Sequence, residues 1–429
     1  MKRTLNKKLL VLSTYPIESP RSGGEKRVRA LVDYYGGLFK SVKFVGVFAN
    51  DQNTIFNKEN DIILADQDIL KRLTYQPYAG DIISGEAIYD NIYVRDTLAK
   101  VILDYEPDVI ELEHPYPYIG LEPLLKRIER RPKIIYSSHN IEYSMKREIY
   151  KTLDVDPLEA KKMVKKIKNL EERLIKRADL VVTVSEDDAK IQRAIGAKNI
   201  VVAQNGISAS TPTPKSIKHW QKYKKEHGIK KLAVFIASGH PPNWQGFTEM
   251  IGSDTNFLPS GHKIALVGGV ADYFANSIPQ KNSQFWKGIE LIGRLDDSLL
   301  AGLIAESDLI LLPITQGGGS NLKTAEAILS GKPIMATSYA FRSFEDYMNL
   351  STLELADSKE EFKEGIRATL AAKHGKKYKK AEQKRSQQVQ WKYVLASIGE
   401  VLPKAVRLTP FDYYDKTFGR LKRRILRGR

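Results

Sequence analysis

Cysteine is absent from the whole chain of 429 residues. That excludes a disulfide scaffold, a thiolate metal site and a cysteine nucleophile together, and it fits a reducing compartment. Long apolar runs are missing too, since no stretch reaches the roughly 18 residues of a membrane span. The opening "MKRTLNKKLLVLSTYPIESP" has a basic front, but its apolar part is only "LLVL". That is short for a secretory signal and suited to a first buried strand, so the expected location is cytoplasmic. No G-x-G-x-x-G stands at the first turn, and the dinucleotide fingerprint is therefore lacking. Nor does a D-x-D close any of the strands read below, where a metal-bound diphosphate would sit. The run "EDD" at Glu186 to Asp188 reads as a helix start. No metal and no cofactor are expected.

What is present describes a soluble α/β protein. Apolar residues make up 42% and charged residues 28%, a globular profile, and the length favours two domains of about 200 residues. The net charge is +17, unevenly placed: from Ala371 to Arg429 there are 17 Lys or Arg against four Asp or Glu. The C-terminus is thus built to meet an anionic surface.

Apolar, β-rich runs alternate with helix-period segments. "KLLVLSTYP", "SVKFVGVF", "DVIELEH", "KIIYSSH", "DLVVTVS" and "NIVVAQNG" read as strands buried on both faces. "GEKRVRALVDYYGG" and "PLEAKKMVKKIKNLEERLIKRA" read as helices between them, the βαβ rhythm of a parallel sheet. After Asn205-Gly206 the rhythm breaks into a polar, turn-rich and then basic stretch, read as a linker with a short exposed helix at 206–229. A second set follows: "LAVFIAS", "KIALVGGV", "IELIGRL", "DLILLPI" and "KPIMATS". The expected organisation is a Rossmann-like domain at 1–205, the linker, a second such domain at 230–390, and a crossover helix with a basic tail at 391–429. In that last part "SQQVQWKYVLASIGEVLPKAV" reads as one helix with Trp391, Val394, Leu395 and Ile398 on one side. "FDYYDKTFGRLKRRILRGR" then sets Phe411, Tyr414, Phe418, Leu421 and Ile425 opposite Lys416, Arg420, Lys422, Arg423, Arg424 and Arg427. This is a basic amphipathic helix.

In open parallel sheets, ligands bind where strands end and helices begin. Two glycine-bearing segments stand there. Gly23 and Gly24 lie just before a helix, where free N–H groups favour an anion; a plain tight turn explains them equally well. The second is "PITQGGGSNLKTAEAILSGKP", Pro313 to Pro333. Here Lys323 falls in the first turn of a helix, where a cation opposes the macrodipole unless an anion sits nearby. A diphosphate would satisfy Lys323 and the amides of Gly319 to Leu322, and Glu326, one turn on, would accept from a sugar's vicinal hydroxyls. The plainer alternative is a glycine-rich hinge with an exposed lysine.

The pairing of "SGGEKRVRAL" with "GGGSNLKTAEAILSGKPIMAT", together with "SSHNIEY", "ADLVVTVSEDD", "VVAQNGI" and "IELIGRLDD", resembles glycosyltransferase family 4 over residues 8–400. The resemblance implies the GT-B architecture, two Rossmann-like domains facing a cleft, and a retaining enzyme that moves a sugar from a nucleotide donor to an acceptor hydroxyl. It implies donor contacts from Gly318, Gly319, Ser320, Asn321, Leu322, Lys323 and Glu326, and from Gly23 and Gly24. Arg294 and Leu295 would lie beside the nucleobase, and His139 near the transferred sugar. Two departures stand out. The earlier of two family glutamates is replaced by Gly318. An arginine–lysine pair after the first strand of the second domain is replaced by "ASGHPPNWQG", with Ser238, His240 and Asn243. Lys323, on the phosphate loop itself, is the residue expected to restore the lost positive charge.

Retention develops negative charge on the leaving diphosphate, so donors and cations there matter more than a strong nucleophile. Lys323 and His139 are the expected catalytic groups. Glu142 either orients His139 or caps the next helix. Glu113, His114 and Tyr116 in "ELEHPYPYIG" form an acceptor-side cluster whose aromatic rings either stack on a sugar or simply fill the core. The tail is either a solvated basic helix or a membrane contact through Phe411, Phe418, Leu421, Arg420, Lys422, Arg423 and Arg424, which suits a glycan or lipid-linked acceptor. Two other functions compete: a nucleotide-sugar epimerase or silent GT-B subunit, kept open by Gly318, and nucleic-acid binding. The latter is disfavoured because the basic residues crowd one end without a recognised binding motif.

Overall fold

The computed structural model describes residues 4–20, 22–49, 55–127, 131–279, 281–317, 321–373 and 375–407. The chain divides into two compact units: residues up to Gln204 joined by those from Leu395, and Asn205–Val394.

The first unit holds seven parallel strands: β1 (Leu5–Ser13), β2 (Phe39–Phe48), β3 (Ile62–Ile63), β4 (Val109–Glu113), β5 (Lys133–Ser137), β6 (Leu180–Thr183) and β7 (Ile200–Val202). Their spatial order is β3-β2-β1-β4-β5-β6-β7. Leu9 to Leu12 of β1, Ile110 and Leu112 of β4, and Ile134 to Tyr136 of β5 are fully buried, as unbroken apolar runs sandwiched between helix layers must be. The chain winds outward from β1 in one direction and from β4 in the other, so the switch point lies between these two strands.

The second unit repeats the plan with six parallel strands: β8 (Lys231–Ile236), β9 (His262–Val267), β10 (Ile289–Gly293), β11 (Leu309–Leu312), β12 (Ile334–Ala336) and β13 (Leu353–Leu355). The order is β10-β9-β8-β11-β12-β13, with the switch point between β8 and β11. Gly246 shows how closely the layers approach. A Cβ there would lie 2.1 Å from the carbonyl oxygen of Pro313, so only glycine lets helix Pro241–Met250 press on the loop after β11.

Two readings of the sequence change. The stretch 206–229 is not a free linker with an exposed helix. Its helix Pro214–Glu226 buries Trp220, whose indole donates to the Leu299 carbonyl at 2.8 Å. The expected single helix around Trp391 is broken into a turn at Gln387–Val389, a short helix Trp391–Val394 and a helix Ala396–Ala405. The break has a cause: Ile207 N donates to Val389 O at 3.0 Å and Trp391 N to Ile207 O at 3.3 Å, which pulls Gln390 into extended backbone. Leu395 and Ile398 then enter the core of the first unit, where Ser397 Oγ donates to Val202 O at 2.9 Å. The tail residues Phe411, Phe418, Leu421, Arg420, Lys422, Arg423 and Arg424 lie outside the described residues. No helix among the described residues is long and apolar enough to cross a membrane.

Candidate functional site

In the first unit, residues from the ends of β1, β4 and β5 converge at the switch point. Ser22 caps helix Gly23–Gly36 through a reciprocal box with Glu25, so Gly23 and Gly24 are the first two residues of the helix. A Cβ on Gly24 would lie 3.2 Å from the Tyr15 ring, a tight contact that glycine avoids, and 3.8 Å from His139 Nδ1. Strand β4 brings two fully buried glutamates to this place. Glu111 Oε1 accepts from the Tyr35 hydroxyl at 3.0 Å, and Glu113 Oε2 meets His139 Nε2 at 2.7 Å.

His114 comes next, with φ of +65°, a left-handed backbone that a bulky residue adopts only at a cost of about 1–3 kcal/mol. It is buried, and its Nδ1–H donates to Glu142 Oε1 at 2.9 Å. The Tyr116 hydroxyl donates to Glu142 Oε2 at 2.8 Å, and Asn140 Nδ2 to Oε1 at 2.8 Å. The His114 and His139 rings touch, with centroids 3.9 Å apart. Glu142 therefore serves His114, while Glu113 is the residue that holds His139.

The electrostatics separate the two histidines. Burial pulls His114 down, but Glu142 beside it outweighs this and raises it above the ordinary imidazole value. Burial, helped by the His114 and Arg27 charges, pushes His139 well below. Glu142 is held down to about 2 because His114 and Lys146 overcome its burial. Burial pushes Glu113 up to about 7, with Arg27 and His114 opposing. Glu142 and His114 thus favour each other's charged forms, while burial favours the neutral forms of Glu113 and His139. Lys146, bonded to Asp81 Oδ2 at 2.6 Å, and Arg27, whose guanidinium donates to Gln204 O at 3.3 Å, complete the cluster.

In the second unit the loops after β8 and β11 flank the switch point. Asn321 precedes helix Leu322–Ser330 without capping it through its side chain, and the first turn contains Lys323 and no acid. Burial pushes the Lys323 ammonium down to about 8, the Arg342 charge adds to the depression, and Glu326 partly offsets it. Gly331, at φ of +68°, ends the helix, as the Gly-Lys-Pro stop requires. On the β8 side, Asn243 is buried and its amide donates to Ser238 O at 2.9 Å and to Ser238 Oγ at 3.1 Å. Asn243 thus shapes the turn, and Ser238 is the exposed member of the two. Arg294 and Leu295 follow β10; Arg294 is exposed, 4.0 Å from Asp272 Oδ2.

The structure groups the sequence candidates into two sets, one in each unit: Gly23, Gly24, Glu113, His114, Tyr116, His139 and Glu142, and then Ser238, Asn243, Arg294, Leu295, Asn321, Leu322, Lys323 and Glu326. Gly318, Gly319 and Ser320 lie outside the described residues. Tyr116 is not a sugar platform, because its ring is fully buried and its hydroxyl holds Glu142. Trp244 stacks on Tyr273, centroids 4.3 Å apart. One D-x-D, Asp66 to Asp68, follows β3, a strand the sequence reading missed. Asp66 Oδ1 there accepts from the Asp68 and Ile69 amides at 3.0 and 3.2 Å as a helix cap. Sequence reading also missed the roles of Arg27, which lies inside the quoted "SGGEKRVRAL" but was not singled out, and of Arg342, which lies in no quoted motif. Their only signal is their place, in a helix after β1 and in the loop after β12.

Residues 45–211 match the family described as Glycosyltransferase Family 4. No curated protein sequence matches the chain. Among solved structures, Anabaena HepE in complex with UDP is similar at 16% identity and TM-score 0.59, over 92% of this chain and 100% of that one. Sucrose-phosphate synthase from Thermosynechococcus elongatus is similar at 13% identity and TM-score 0.66, over 93% and 99%. WaaG, a glycosyltransferase involved in lipopolysaccharide biosynthesis, is similar at 13% and 0.56, over 93% and 98%. The two parallel-sheet units have the GT-B fold, and the family match at residues 45–211 covers "SSHNIEY", "ADLVVTVSEDD" and "VVAQNGI" of the motifs that carry the resemblance.

Proposed function

We propose that this chain, with its Glycosyltransferase Family 4 match, is a retaining glycosyltransferase. It moves a sugar from a nucleotide-diphosphate sugar to a hydroxyl of a glycan or lipid-linked acceptor, in the synthesis of a cell-surface polysaccharide or glycoconjugate. The observation that carries this reading is Lys323, a cation in the first turn of a helix at a parallel-sheet switch point, its charge disfavoured by burial and by Arg342. Such a site stabilises an anion. A UDP-type donor is supported by the HepE structures, which hold UDP and UDP-glucose.

Each residue has a role in this reading. Lys323 and the amides of Gly319 to Leu322 receive the diphosphate as the glycosidic C–O bond breaks, without a metal. Glu326 accepts from the donor ribose, Arg294 and Leu295 line the base, and Ser238, positioned by Asn243, completes the phosphate side. In the first unit Gly23 and Gly24 leave room beside His139, which contacts the transferred sugar. Glu113, His114 and Glu142 fix the polar groups that meet the acceptor.

The test is a thermal-shift panel with UDP, GDP, ADP, dTDP and CMP on the wild type, Lys323→Ala and Glu326→Ala. A nucleotide at about 100 times its Kd adds roughly 2.7 kcal/mol to the folded state. A shift with one nucleoside diphosphate that both substitutions abolish supports the donor site, and flat responses throughout refute it. Retention is checked by NMR of the anomeric configuration in the first product formed.

A further inference from the structure

We propose that Arg342 is a second diphosphate-binding cation acting with Lys323, and that it replaces the arginine–lysine pair missing after β8. The inference rests on the reading of the second unit as a donor site and adds a residue to it.

Three contacts place Arg342 there. Thr324 Oγ1 donates to Ala340 O at 2.6 Å, tying the first turn of helix Leu322–Ser330 to the segment Ser338–Phe341 just before Arg342. The Tyr339 hydroxyl donates to the carbonyl of Gly317, pinning that segment to the β11 loop. The Arg342 guanidinium lies over the Tyr339 ring, 4.5 Å from its centroid, and its Nη2 is 3.6 Å from where a Cβ on Gly317 would sit. The next residue, Ser343, has φ of +68°. This left-handed turn, uncommon for serine, directs the chain away after the guanidinium has been delivered.

The arrangement favours an anion, although Glu326 already offsets part of the Lys323 charge and Arg342 Nη1 donates to Tyr339 O at 3.3 Å. Lys323 stands at the positive end of a helix, and the Arg342 charge is among the causes that disfavour its ammonium. A diphosphate reverses the sign of each of these terms. It also matches the planar fork of a guanidinium, which binds phosphate oxygens in pairs as a lysine does not. The stacking on Tyr339 limits the entropy lost when the fork closes, because the side chain is already held. The positive charge that Ser238 and His240 do not supply is thus delivered from the other side of the switch point, by the loop after β12.

The experiment is isothermal calorimetry of the full chain with UDP, uridine and inorganic pyrophosphate. The variants are Arg342→Met, which keeps the aliphatic stem over Tyr339, Arg342→Lys and Lys323→Met. Charge-assisted contacts to phosphate of the usual strength predict a loss of about 10- to 100-fold in UDP affinity for Arg342→Met. Uridine affinity should stay within about twofold, and Arg342→Lys should recover only part of the loss. A folded Arg342→Met that binds UDP and pyrophosphate as tightly as the wild type overturns the proposal, and so does an equal loss for uridine. If the wild type binds pyrophosphate through Arg342 but no nucleoside diphosphate, Arg342 stands and the nucleotide-sugar reading falls. If the wild type binds neither, both are refuted.

Discussion

Glu142→Gln is the substitution that most directly tests the buried cluster of the first unit. It keeps the shape of the side chain and removes one charge from a carboxylate that accepts from His114, Tyr116 and Asn140. Breaking a buried ion pair by removing one partner costs about 3–5 kcal/mol. At roughly 2–4 °C per kcal/mol for a unit of this size, the melting temperature should fall by about 6–20 °C. Both limbs of the pH dependence follow from the shifts. Glu142, held down to about 2 from an ordinary 4.5, stabilises fully above pH 4.5 and loses that contribution as pH falls toward 2. His114, raised above 6.5, stabilises fully below pH 6.5 and loses that contribution as pH rises through its elevated value. The wild-type pair therefore contributes most between these limits, and the variant should lack both slopes. Aspartate 81, Glu113, Lys146, Arg27, Tyr15 and Tyr116 also surround the pair, so the His114 titration is best read directly by imidazole NMR. The assay has a built-in separation, because all four tryptophans (220, 244, 286 and 391) lie in the second unit. Urea unfolding followed by circular dichroism should shift, while the tryptophan-fluorescence transition should move far less. A loss below about 1 kcal/mol with an unchanged His114 titration would refute the charged-pair assignment.

Trp220→Ala removes a buried indole and its bond to Leu299, and should cost about 3–5 kcal/mol. Here the fluorescence transition of the second unit should move, and an unchanged transition would return 206–229 to the status of a free linker. Gly246→Ala sets a methyl 2.1 Å from the Pro313 carbonyl, so a loss of about 1–3 kcal/mol is expected, together with weaker nucleotide binding through the displaced β11 loop. Diphosphate affinity should be flat below pH 8 and fall above it as Lys323, facing Arg342 and Glu326, loses its proton. In Lys323→Met that fall should vanish. Deleting residues 408–429 should abolish sedimentation with anionic liposomes if the basic tail docks on membranes, and equal pelleting of both forms would sink that idea.

The sheets were legible because a doubly covered parallel strand has nowhere to put a polar side chain. "LLVL" and "LILL" could hardly be anything else, and the order of strand and helix followed from them. β3 escaped because two residues make no pattern, and β13 because all three of its residues are only partly buried. The glycine loops and Lys323 were visible because their chemistry is local: a run of glycines, a helix start and a cation within ten residues. The partnerships were not. "IELEH" alternates as an edge strand would, yet β4 lies in the centre of the sheet, and both glutamates are buried. Tyr35 and His139 reach them from other elements, 76 and 26 residues away in sequence, and the Arg27 charge opposes the effect of their burial. Of the two readings of Glu142, the place at a helix start holds, while its bond goes to His114, 28 residues away, and not to His139, three residues away. Nearness along the chain is a weak guide where the fold brings distant groups together. Arg342 is the extreme case, since its meaning depends on a serine in left-handed backbone and on a tyrosine bonded to a glycine carbonyl. Charge that the familiar positions lack can reappear on any loop at the same edge of a parallel sheet, and only the topology says which loops those are.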